Sequence, residues 1–104
     1  MLYDQKWDLN LLSADGRKLW KAADYMEEHG WARGQYKSRG AVCLIGAILM
    51  ANYRISNMEA HDLTARHFSS CNESVVYWND NIAKDKEQVV AKLREMARKA
   101  SNLD

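Results

Sequence analysis

Proline is absent from this chain, phenylalanine occurs once and cysteine only twice. Without proline no helix is stopped by a missing N–H, so helix ends must be written by capping residues and glycines. Two cysteines, Cys43 and Cys71, are too few for a disulfide framework. The stretch from Met1 to Asp8 carries charges where a secretion signal needs an apolar run. Free thiols in a reducing cytoplasm are therefore expected. An excess of one charge is also lacking: 15 lysines and arginines face 14 acids, a net charge of +1. No global field draws the chain to nucleic acid or to an anionic membrane, and a strongly acidic DNA mimic is excluded. Repeats and low-complexity linkers are missing too. What remains is 104 residues, 47% of them hydrophobic, enough for one domain to bury a core without metal or disulfide.

One long uncharged run stands out, Gly40 to Ala51. It is about half of the roughly twenty residues that a bilayer span needs, so no membrane association is expected. A segment with no polar face is buried on all sides, which makes this run the expected central helix, over 41–53. Gly46 in its middle weakens a helix by about 1 kcal/mol relative to alanine and calls for close approach of another backbone.

The other elements are amphipathic. Leu19, Ala22, Ala23 and Met26 recur at helical spacing, behind Ser13 or Asp15 as N-cap and ahead of Gly30 as the left-handed stop, which predicts a helix over 16–29. Ser56 followed by Glu59 is a capping box opening a helix over 57–69. Asp85 and Gln88 open a last helix over 85–101 in the same style, with Val89, Val90, Leu93, Met96, Ala97 and Ala100 as its stripe. Glu95 and Lys99 make a favourable i,i+4 pair on it. Residues 31–39 leave room for a small hairpin, and Val75–Trp78 reads as a short extended stretch before the turn chemistry of Asn79-Asp80-Asn81. The expected fold is a single domain over 1–104, mainly α. An N-terminal arm, 1–15, is anchored by Trp7. In the core, 16–101, four helices are expected, the buried central one and three packed around it.

Gly30-Trp31, then Cys43-Leu44-Ile45-Gly46-Ala47, then Trp78-Asn79-Asp80 follow one another in that order. Over residues 17–100 this resembles a family of short actinobacterial and phage proteins catalogued only as a domain of unknown function. Asp85 stands where the family usually has a threonine cap, and Ala32 where a cysteine is often seen. The resemblance implies a fold and no activity; its phage connection makes a host-modulating or defence-inhibiting role an expectation by analogy.

Few residues are equipped for chemistry. Cys43 would sit in the first turn of the central helix, where the helix dipole lowers a thiol pKa. With His67 (or His61) as base and Asp80 (or Asn79) as orienting group, the chain order matches that of papain-like thiol hydrolases. The competing reading is a small buried hydrophobe with an inert thiol. His61 and His67 do not share a helix face and no paired-ligand spacing occurs, so neither metal nor cofactor is expected.

Arg33, Lys37 and Arg39, interleaved with Trp31 and Tyr36, form an acid-free loop. It reads as a solvated loop with inward aromatics or as a contact to nucleic acid. Four tryptophans and five tyrosines exceed what so small a core needs. Exposed aromatics beside arginine are typical contact residues, so Trp20, which lies off the first helix's stripe, and then Tyr53 and Trp7 are expected to anchor a protein partner or a second copy of the chain. The favoured expectation is a cytoplasmic protein–protein interaction module, in its finer form a phage-encoded inhibitor of a host or defence protein. A Cys43 thiol hydrolase and a nucleic-acid contact at 33–39 stand as alternatives.

Overall fold

The polar caps read from the sequence are used where the helices begin. A computed structural model of the 104-residue chain describes residues 11–32, 37–38, 40–68 and 75–102. Helix α1, Ala14–His29, opens with the Ser13 side chain accepting from the Gly16 amide and stops at Gly30, whose φ of 100° suits a residue without Cβ. Strands β1, Lys37–Ser38, and β2, Ala41–Val42, pair antiparallel, and Trp31 bridges to Val42 in parallel. Helix α2, Leu44–Ala51, follows at once, and α3, Asn57–His67, is capped by Ser56. A single turn, α4, Val75–Tyr77, runs into a π-helical turn, Trp78–Ile82. Helix α5, Lys86–Ala100, opens on Asp85, which accepts from the Gln88 amide. The mainly α architecture and the small hairpin are as expected. Trp7 lies outside the described residues.

Three local expectations are corrected. The central helix begins at Leu44, not at 41, because Ala41 and Val42 are taken by the hairpin and Cys43 becomes the cap. It is also not sealed on every side: Leu44 to Ile48 are buried, but Met50 emerges near its end. Residues 75–78 are helical and not extended. They sit at the mouth of the π turn, where the Ala83 amide reaches back to the Trp78 carbonyl at 2.9 Å.

The core is one cluster. Helix α1 packs along α5 and against α2, and α2 also meets α3, α4 and β2. The ends of α1 and α5 are stitched together. The Ser13 amide donates to Ser101 Oγ at 2.8 Å, and Ser13 Oγ donates to the Ala100 carbonyl at 3.1 Å. Gly16 lies so close to this junction that a Cβ there would meet the Ala97 carbonyl at 2.8 Å and Ser101 Oγ as well. Farther along, Arg94 of α5 reaches Asp24 at 2.8 Å and Glu27 at 3.3 Å on α1. Among the described residues no helix is long and apolar enough to cross a membrane.

The end of α3 is tied to the start of α1 through Asp15. Its carboxylate accepts from His67 Nε2 at 2.9 Å and from Arg66 at 3.2 Å. The His67 hydrogen bond is the main reason that the Asp15 pKa lies below the ordinary aspartate value, with the Arg66 charge adding to it. A carboxylate with a lowered folded pKa stabilises the fold above its unfolded value, and that contribution disappears as pH falls through the folded one. Acidification below about pH 4 should therefore lower the melting temperature of the wild type more steeply than that of Asp15→Asn. Equal slopes in pH-dependent thermal melts would contradict this assignment.

Candidate functional site

Three segments distant in the chain meet at one side chain. The π turn places Asn79 inside the protein, where it is 1% exposed. Its Oδ1 accepts from the Trp31 indole Nε1 at 2.9 Å and from the Leu44 amide at 3.1 Å. Its Nδ2 donates to the Ala32 carbonyl at 3.2 Å and to Asp80 Oδ1 at 2.9 Å. Two donors converge on the oxygen and two acceptors on the nitrogen, so the amide is fully satisfied and its orientation is fixed by the network. Asn79 was expected in a turn, or as an alternative orienting group for the thiol site. Asp85 caps the last helix as expected, and Asn79 joins the segments after α1, before α2 and before α5.

The same knot sets the start of α2. The first amides of a helix have no partner within it. Here the Leu44 amide is taken by Asn79 and the Gly46 amide donates to Cys43 Sγ at 3.3 Å. Cys43 is thus the N-cap of α2 and is buried. Burial pushes its thiol above the ordinary value and the Asp80 carboxylate adds to the rise, outweighing the opposing pull of the Gly46 amide. The sequence argument had the helix dipole lowering this pKa; desolvation reverses the sign. His67, the expected base, is bound to Asp15 at the start of α1. Of the supposed triad only Asp80 lies within electrostatic reach of Cys43, and a negative charge there opposes thiolate formation.

Trp20 is the second reversal. It was expected at the surface because it lies off the Leu19 stripe, yet it is 3% exposed. Helix α5 covers that side: the guanidinium carbons of Arg94 and Arg98 lie 5.1 and 5.7 Å from the Trp20 ring centre. Trp31 is half-buried and committed to Asn79. Arg33, Tyr36 and Arg39 lie outside the described residues, and Lys37 enters only through its strand pairing with Val42.

Among the described residues Tyr53 is the most exposed aromatic, at 88% against 50% for Tyr77. It stands in the turn between α2 and α3, on the edge of a cleft of about 400 Å³ lined also by Arg17, Lys18, Lys21, Asn52, Arg54, Ile55 and Glu59. Asn52 fixes this turn, its Nδ2 donating to the Ile48 carbonyl at 2.9 Å and to the Lys18 carbonyl at 3.2 Å. Lys18 pairs with Glu59 at 2.8 Å. The capping box of α3 is therefore half used: Ser56 accepts from the Glu59 amide, while the Glu59 carboxylate turns to Lys18. Arg54 has a φ of 63°, in the left-handed region, and its guanidinium lies 5.2 Å from the Tyr53 ring centre. Sequence reading found Tyr53 but not the cleft, because its cations come from α1 and from a turn more than thirty residues later.

A family's sequence model matches residues 14–99. The chain belongs to DUF6197, a family of unknown function. No curated protein and no solved structure matches it. The DUF6197 match runs from the start of α1 to within one residue of the end of α5, and the three motifs that carried the resemblance are those that Asn79 ties together. Among the described residues no three histidine, cysteine or acidic side chains gather as they would around a metal ion.

Two measurements check this description. Asn79→Asp replaces the donating Nδ2 by an oxygen facing the Ala32 carbonyl and Asp80, and chemical denaturation should show a loss of about 2–4 kcal/mol; a loss below about 1 kcal/mol would mean that the knot is not needed. In a Cys71→Ser background, Cys43 should react with a thiol reagent near neutral pH far more slowly in the native protein than in denaturant. Equal rates would restore it as a nucleophile.

Proposed function

We propose that the protein is a small, non-catalytic protein-binding module that engages its partner through the turn between α2 and α3. The observation that carries this reading is the exposure of large apolar side chains along one short stretch: Met50 at 45%, Tyr53 at 88% and Met58 at 74%. Tyrosine and arginine are the residue types that anchor interfaces, and methionine adapts to irregular partner surfaces. Arg54, held in a backbone conformation that costs a non-glycine residue about 1 kcal/mol or more, stands beside Tyr53. The turn is also firmly based, through Asn52.

The alternatives have less support. The catalytic reading needs a reactive Cys43, and the thiol is buried with its pKa raised. The nucleic-acid reading rests on 33–39, of which only 37–38 are among the described residues, and the cations of α5 do not extend it, because they are engaged within the fold. Lys92 and Lys99 pair with Glu95, Arg94 with Asp24 and Glu27, and Arg98 lies over Trp20. A phage-encoded inhibitor of a host or defence protein is the finer form of the module reading and rests on the resemblance alone.

Tyr53→Ala and Met58→Ala remove exposed side chains, so both variants should keep the wild-type melting temperature. In affinity capture from host lysate, both should lose a partner that the wild type retains. A partner held equally by both variants would refute the assignment of this turn.

A further inference from the structure

The cleft beside Tyr53 has a sign. Among the described residues Lys18, Lys21 and Arg54 line it, with Arg17, against one acid, Glu59, which pairs with Lys18. The whole chain has a net charge of only +1, so the cations of this concavity are a local cluster and not part of a general excess. The concavity is also not purely polar, since Tyr53 and Ile55 contribute to its lining.

Building on the module reading, we infer that this cleft takes an acidic, extended segment of the partner protein. The carboxylates of that segment are held by Lys21 and Arg54, and an apolar side chain lies on Tyr53. Arginine matches a carboxylate with two parallel N–H donors, and lysine adds a point charge. A volume of about 400 Å³ holds a few side chains. Single-stranded nucleic acid needs successive stacking platforms along a groove that follows the backbone, and this cleft offers one aromatic ring. A free inorganic anion would leave the aromatic and aliphatic lining unused.

Fluorescence anisotropy of the full chain with a short fluorescein-labelled peptide of glutamates around one phenylalanine tests the inference. Saturable binding is expected at low ionic strength, weakening steeply as salt is added. Lys21→Glu and Arg54→Glu should each weaken it by about tenfold or more, a change of about 1.4 kcal/mol, at unchanged melting temperature. Absence of binding at low salt would overturn the inference, as would charge-reversed variants that bind like wild type. Tighter binding of a single-stranded oligonucleotide, or competition by inorganic phosphate as effective as by unlabelled peptide, would overturn the partner class. The two readings fail separately. A partner captured through Tyr53 while the peptide does not bind removes the acidic segment and keeps the module. Peptide binding while capture is indifferent to Tyr53 removes the role of the turn.

Discussion

The fold depends on one buried amide being fully satisfied. Asn79 is surrounded by protein and every hydrogen-bonding position it has is used, on groups from three parts of the chain. In such a place a missing partner is costly, because no water replaces it. The knot therefore fixes several things together: where the segment after α1 lies, where α2 begins, and how the π turn approaches the core. The π turn is part of the same arrangement, since it is the element that carries Asn79. The packing of α1 against α5 is the most extensive between any two described elements, and the Ser13–Ser101 stitch closes one end of that pair.

This arrangement changes what the family resemblance means. The tryptophan, the cysteine and the asparagine that make the motifs recognisable are spent on holding the fold: Trp31 on Asn79, Cys43 on the start of α2, Asn79 on both. A signature built from such residues reports an architecture and carries no chemistry to the surface. The side chains that face outward around the cleft, Arg17, Lys21, Tyr53 and Arg54, belong to none of those motifs. Function in this chain is therefore sought on a surface that the signature does not describe.

The helices were legible because their determinants are local. Ser13, Ser56 and Asp85 cap where capping residues should, Gly30 stops α1, and the Leu19 and Leu93 stripes are buried. What was misread depended on neighbours distant in sequence. Trp20 looked solvent-facing on its own helix and is covered by arginines from α5. Asn79 looked like a turn residue, because its partners lie 35 to 48 residues away, apart from the adjacent Asp80. Cys43 was correctly placed in the chain at the start of a helix, but the sign of its pKa shift turned on burial, which periodicity alone does not measure. The cleft escaped for the same reason: neither α1 nor the turn before α3 is unusually basic by itself.

Native-state hydrogen exchange at the Leu44 amide tests the central claim most directly. An amide in the first turn of a helix ordinarily lacks an intrahelical partner and exchanges quickly. If Asn79 holds it, Leu44 should exchange only through global unfolding, with the same opening free energy as the α5 core amides of Leu93 and Met96. Exchange of Leu44 at the rate of an unprotected helix end, while α5 remains protected, would show that the knot opens independently and that the fold does not depend on it.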